Sequence, residues 1–117
     1  MEAAPSCSAD DHTHAAVRPL PEEAALDQAA RLWRALADQE RLRLLFRLSR
    51  GEACVTELAV AEEETLATIS QRLRVLRSEN LVVRQRRGKH INYALADQHV
   101  AALLSTVMTH TRGPKHD

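Results

Sequence analysis

From Glu22 onward the apolar residues recur at spacings of three and four, and this pattern gives way to alternation in one place only, directly after the most basic stretch of the chain. That order restricts the fold more than any other feature. Leu26, Ala29, Ala30, Trp33, Leu36 and Ala37 mark a first amphipathic helix. Asp38 stands where it can cap a second, which carries Leu42, Leu44, Leu45 and Leu48 and is stopped by Gly51. A short third helix is predicted from Cys54 to about Ala61, with Val55, Leu58 and Ala59 inward. Thr65 has the position of an N-cap for a fourth, from Leu66 to about Asn80, whose inward residues are Ile69, Leu73 and Leu76. Two β-rich runs, 81–86 and 90–95, then flank the tip Arg87-Gly88-Lys89 and read as a hairpin. A last helix, Asp97 to about Thr111, has the stripe Val100, Leu103, Leu104 and Val107 and ends before Gly113-Pro114.

Two short helices followed by a basic one are the outline of a helix-turn-helix, and a hairpin placed directly after the recognition helix is a wing. The predicted fold is therefore mainly α with a small β-hairpin, a winged helix-turn-helix. A single Phe, Trp and Tyr leave the core to Leu, Ala and Val, which argues against a sandwich or barrel. With 117 residues the chain is the size of one domain. Residues 1–21 mix Pro, Ser, Asp and His without periodicity and read as a flexible arm, 22–112 as the DNA-binding and dimerisation domain, and 113–117 as a tail. No run of about 18 apolar residues and no basic-then-apolar leader is present, so a cytoplasmic protein is expected. No nucleophile–base pair or phosphate-cradling Gly loop points to an enzyme.

Formal net charge is zero, but the charges are segregated. Residues 1–64 hold 7 basic and 13 acidic side chains, a net −6, whereas 65–92 hold 7 and 1, a net +6. A basic block in an otherwise acidic chain implies one face made for a polyanion. On the fourth helix, Thr68, Ser70 and Gln71 suit base edges in a major groove, and Arg72, Arg74 and Arg77 suit phosphates or guanine. Arg86, Arg87 and Lys89 at the wing tip would lie along the backbone or minor groove.

His99 and His110, eleven residues apart, lie within roughly 20° of one helix face yet about 16 Å apart along the axis. One helix cannot close both on one ion. If the same helix of a second subunit crosses it antiparallel, His99 of one chain meets His110 of the other, and symmetry makes two equal sites. Asp97 can add a carboxylate, and such nitrogen and oxygen ligands suit Zn²⁺, with Co²⁺ and Ni²⁺ as close competitors. The alternative is that Asp97 only caps the helix and the histidines line a wet seam. A second candidate site uses Cys54 and Glu57, with Cys7, His12 and His14 of the arm folding over from a partner. Its alternative is a small buried Cys54, a solvated Glu57 and an idle arm. Cys7 and Cys54 are the only cysteines, so a redox switch built on them is also open.

The stretches Leu36–Leu45, Cys54–Ala59, Thr68–Leu76 and Gly88–His99, in this order and spacing, resemble the ArsR/SmtB family of metal-sensing repressors. The resemblance runs from about residue 25 to 111. It implies a winged helix dimerised through its first and last helices, which holds operator DNA as a homodimer and represses metal efflux or sequestration genes until an ion, Zn²⁺ first and Co²⁺, Ni²⁺ or Cd²⁺ otherwise, binds. Asp97, His99 and His110 fall on three ligand positions of the family's C-terminal-helix site. The fourth falls on Gly113, where the family has Glu or His, so His116 of the tail or a water would have to complete the shell. The turn before the recognition helix, where the family usually has Gly, holds Glu62, Glu63 and Glu64, whose charges are expected to repel phosphate. The thiol pair that many arsenic, cadmium and lead sensors carry on the third helix is reduced to Cys54.

Overall fold

The computed structural model describes residues 17–113. Five helices and three short strands follow one another as α1 (Glu23–Leu36), α2 (Gln39–Leu48), β1 (Ala53–Cys54), α3 (Val55–Glu62), α4 (Leu66–Ser78), β2 (Val82–Arg87), β3 (His90–Leu95) and α5 (Gln98–Thr111). The five helices and the hairpin stand where the periodicity predicts them. The sheet is antiparallel in the order β1-β3-β2, and β1 is an element that the sequence did not announce. It pairs Ala53 with Tyr93 and Cys54 with Asn92, so Cys54 ends a strand and stands at the N-cap of α3, outside the helix predicted to contain it.

One core joins all the helices. Leu44, Leu45 and Leu48 of α2 meet Leu58 of α3, Ile69, Leu73 and Leu76 of α4, Leu81 and Val82 at the root of the hairpin, and Val100 and Leu104 of α5. The inward stripes of α4 and α5 are thus largely as the spacing predicts, although Val107 is exposed. The first helix differs. Ala35 and Leu36 are buried, but Leu26 is exposed and Trp33, on the apolar stripe of the helix, is 53% exposed. A spacing pattern shows that a face is apolar; it does not show which neighbour covers it.

Caps and turns set the angles between elements. Thr65 accepts from the Thr68 N–H at 3.1 Å and caps α4 as predicted. Asp38 occupies the N-cap of α2, but its carboxylate pairs with Arg41 at 3.1 Å and takes no backbone N–H. At the end of α4, Asn80 adopts φ 59° while the N–H groups of Asn80 and Leu81 bond to the carbonyls of Arg77 and Leu76, a Schellman closure that feeds the chain into β2. Gly88, at φ 63°, is the first of two loop residues in the hairpin.

The turn between α3 and α4 closes in the same way, but with Glu63 at φ 56° in the left-handed position. An L-residue with a β-carbon is disfavoured there by about 1–2 kcal/mol, and glycine is not. Glu63→Gly should therefore stabilise the protein by about 1 kcal/mol, raising the melting temperature by roughly 5 °C in thermal unfolding. An unchanged or lower midpoint would show that the Glu63 side chain offsets its backbone strain.

Candidate nucleic-acid interface and metal-ligating residues

The open side of α4 carries Gln71, Arg74 and Arg77, all exposed, with Arg74 donating to the Gln71 carbonyl oxygen at 3.1 Å. Ser70 is half-buried beside them. Thr68 is differently placed: its Oγ1 accepts a hydrogen bond from the Thr65 hydroxyl at 2.9 Å, within the capped first turn.

Arg72 does not join Arg74 and Arg77. Its guanidinium, 18% exposed, donates to Glu64 at 3.0 Å and lies 3.7 Å from the Glu40 carboxylate. In the chain by itself Arg72 is thus turned to carboxylates of its own fold, unlike Arg74 and Arg77. Two acids of the turn before α4 are paired in the same way. The Glu62 side chain is 2% exposed and accepts from Arg43 Nε at 2.7 Å, from Arg43 Nη2 at 3.3 Å and from Arg47 Nε. Two of the three acids beside the recognition helix are therefore neutralised by arginines of α2 and α4. Arg43, ahead of the burial that opposes it, holds the Glu62 carboxyl below its ordinary range.

On the wing, Arg86 and Lys89 are exposed and point no charge at an acid of the described residues, whereas Arg87 is tied back. Its Nη2 donates to Glu52 at 2.8 Å and its Nε at 3.2 Å, and the Asn92 amide adds a bond to the same carboxylate at 3.1 Å. Arg87, and after it Asn92, push the Glu52 carboxyl down to about 2. This strut joins the wing to the loop before β1, so Arg87 positions the wing while staying 60% exposed, and Arg84, Arg86 and Lys89 are also exposed on it.

The candidate ligands divide the same way. Asp97 caps α5 through one oxygen, Oδ1, which accepts from the N–H groups of His99 at 2.9 Å and Val100 at 3.1 Å. The same oxygen lies 3.6 Å from His99 Nδ1, and the imidazole is 87% exposed. Asp97 and His99 open on a cleft of about 440 Å³ that Gln28 and Arg31 of α1 and Glu79 also line. His110, exposed, stands at the far end of the same fourteen-residue helix. Cys54 and Glu57 are brought together, as a capping pair: the Cys54 N–H donates to Glu57 Oε1 at 2.9 Å, and this bond first of all holds the Glu57 carboxyl below its ordinary range. His90 and Asn92 of β3 border the same shallow pocket. Among the described residues no three His, Cys, Asp or Glu side chains group closely enough to hold a metal ion. Cys7, His12, His14 and His116 lie outside the described residues.

Residues 38–83, from the N-cap of α2 to the start of β2, match the family described as bacterial regulatory protein, arsR family. A transcriptional repressor SmtB homolog of Synechocystis is 45% identical over 93 residues, covering 77% of this chain and 70% of its own. The chain belongs to the ArsR family. The regulator NmtR of Mycobacterium tuberculosis is 43% identical over 93 residues, covering 80% of this chain and 77% of its own. Among solved structures, a homodimeric winged helix-turn-helix DNA-binding domain from Mycobacterium bovis superposes with a TM-score of 0.73 at 37% identity, covering 80% of this chain and 91% of that one. This ArsR-family chain is thus a winged-helix transcriptional regulator, α3 and α4 form its helix-turn-helix, and α4 is its recognition helix. No helix among the described residues is long and apolar enough to cross a membrane.

Two features of this ArsR-family fold were hidden in its sequence: the Arg43–Glu62–Arg47 clamp and the Glu52–Arg87–Asn92 strut. Their partners are 15 to 40 residues apart, and no local spacing announces them. The one usable signal was the acidic turn itself, since three adjacent acids beside a basic helix call for cations.

Proposed function

We propose that the chain is a metal-responsive transcriptional repressor, working in the cytoplasm, which binds operator DNA as a homodimer and dissociates when a transition-metal ion, Zn²⁺ before Co²⁺, Ni²⁺ or Cd²⁺, bridges its last helices. The observation that carries this reading is the pairing of Asp97 with an open His99 at one end of α5 and an exposed His110 at the other. One chain assembles no trio of ligands among its described residues, so a site made of these residues needs a second copy.

A dimer through α1 and α5 is supported by the uncovered apolar seam. Trp33, Leu42, Phe46, Leu103, Val107 and Met108 line a groove of about 160 Å³ with almost no polar wall. A second copy seated there would bring the two α5 helices together and cover Trp33. The bound ion would supply a fixed link between Asp97 and His99 of one subunit and His110 of the other, and so favour one separation of the recognition helices over another. Asp97, whose Oδ1 lies 3.6 Å from His99 Nδ1, would place its oxygen donor beside that imidazole.

Operator binding should then rest on Arg74, Arg77, Arg86 and Lys89. Arg86→Ala or Lys89→Ala should each lower the slope of log affinity against log salt by about 2, one phosphate contact in each half-site, and Arg72→Ala should leave that slope unchanged while lowering the melting temperature. Equal salt slopes for the wild type, Arg86→Ala and Lys89→Ala would remove the wing assignment, and a lowered slope for Arg72→Ala would remove the Arg72 assignment. Titrating the metal-free dimer on its operator with Zn²⁺ tests the whole reading. X-ray absorption on the Zn²⁺ form separates the sites: a shell of nitrogen and oxygen assigns Asp97, His99 and His110, and a thiolate assigns Cys54 with Cys7, His12, His14 and Glu57.

A further inference from the structure

The first turn of α4 is unusual for a helix that enters DNA. Residues near the N-terminus of a recognition helix are those that touch base edges. Here Leu66 and Ala67 open the helix, both exposed, and Leu66 keeps 54% of its surface in solvent although Ile69, Leu73 and Leu76 of the same helix keep at most 1%. At about 100° per residue Leu66 lies roughly 50–60° from the middle of that buried stripe, on the side where Ser70 and Arg77 stand. It is therefore at the edge of the open face and not a failed core residue.

Polar groups near it are withdrawn. The hydroxyls of Thr65 and Thr68 are bonded to each other, and the Thr65 oxygen also takes the Thr68 N–H. Glu62 and Glu64, which precede the turn, are drawn into pairs with Arg43, Arg47 and Arg72. What the first turn presents outward is hydrocarbon. In a major groove the one apolar group on a base edge is the C5-methyl of thymine.

We propose that Leu66, with the Ala67 methyl beside it, reads the C5-methyl of a thymine in each operator half-site, specifying that base by apolar contact and not by a hydrogen bond. This rests on the reading of α4 as the recognition helix of an operator-binding dimer. Gln71 and Arg74, one turn further on, then take the hydrogen-bonding edges of the neighbouring base pairs.

The test uses duplexes selected by the metal-free, full-length protein from a library randomised over one operator length. Each thymine of the selected duplex is then replaced in turn by deoxyuridine, which removes the methyl group and nothing else. Wild type should lose about 4-fold in affinity at one thymine per half-site, the worth of one buried methyl group. Leu66→Ala should bind dT and dU duplexes equally at that position. Leu66→Gln, which keeps a helix-forming side chain and is the alternative should Leu66→Ala not fold, should lose the methyl preference and favour adenine there. Insensitivity of wild type to every dT-to-dU replacement, or discrimination retained by the variants, would overturn the assignment to Leu66 while leaving operator binding intact. Failure of wild type to enrich any sequence would instead overturn the repressor reading on which it stands.

Discussion

His99→Ala and His110→Ala should each bind operator as tightly as the wild type and remain on it when Zn²⁺ is added. Both side chains are exposed on α5 and make no contact that the fold requires, so their truncation should leave the helix and its Asp97 cap unchanged. Each truncation removes one ligand from both symmetric sites. A 100-fold release by metal corresponds to about 2.7 kcal/mol of coupling between the two ligands, metal and DNA, and reciprocity demands that DNA weaken metal binding by the same factor in the wild type. Both effects should vanish in the variants. Anisotropy of a labelled operator, read with and without Zn²⁺, measures the first, and metal competition in the presence and absence of the duplex measures the second. Cys54→Ser is the matched control, because serine caps α3 at least as well as cysteine. Release retained by both histidine variants and lost by Cys54→Ser would move the metal to the third-helix site.

The second large effect concerns stability. Glu62→Ala should lower it by about 2 kcal/mol, the worth of charge-assisted hydrogen bonds lost from a buried carboxylate, with a melting temperature roughly 10 °C lower. Arg43 and Arg47 are themselves half-exposed and would return to water, which keeps the loss below that of a buried pair with both ends desolvated. The pH dependence has a definite sign. The folded-state pKa of Glu62 is depressed, chiefly by Arg43, so its contribution is complete above the ordinary value of 4.5 and is lost as pH falls through the lower folded value. Between pH 5 and 8 the difference between wild type and Glu62→Ala should be constant, and it should shrink under acid. A difference that grows as pH falls below 4.5 would assign the stabilisation to some other group. Glu62→Ala should also free Arg43 and Arg47 near the recognition helix, so its non-specific DNA binding should strengthen at low salt even as its fold weakens.

The candidate ligands of α5 and the Glu62 clamp differ in what residue numbering can encode. Asp97, His99 and His110 lie on one helix, and helical geometry fixes their relative faces from numbering alone. Arg72 lies on a helix equally well predicted, but Arg72, Arg74 and Arg77 look alike in a string, and only the presence of Glu64 and Glu40 beside one of them separates it. The partner of Arg87 is hidden for the same reason, since Glu52 is 35 residues away. Cys54 and Glu57 stand close, as their spacing implies, but the capping bond that joins them and the strand that makes Cys54 an N-cap depend on Asn92 and Tyr93 far along the chain.

What the sequence determined by itself, then, was whatever a local period or a local run of charge can encode: five helices, one hairpin, the inward stripes of α2 and α4, the cap at Thr65, and a basic block in an acidic chain. Helical and strand periods act over a few residues, so they can be read without knowing the neighbours. The tertiary structure alone decided which of the like charges are spent on their own chain and which face outward, and that Trp33, apolar by pattern, is left uncovered. Those outcomes depend on which elements lie side by side, because an ion pair or a buried face needs a partner within a few ångströms, and distance along the chain does not determine distance in space.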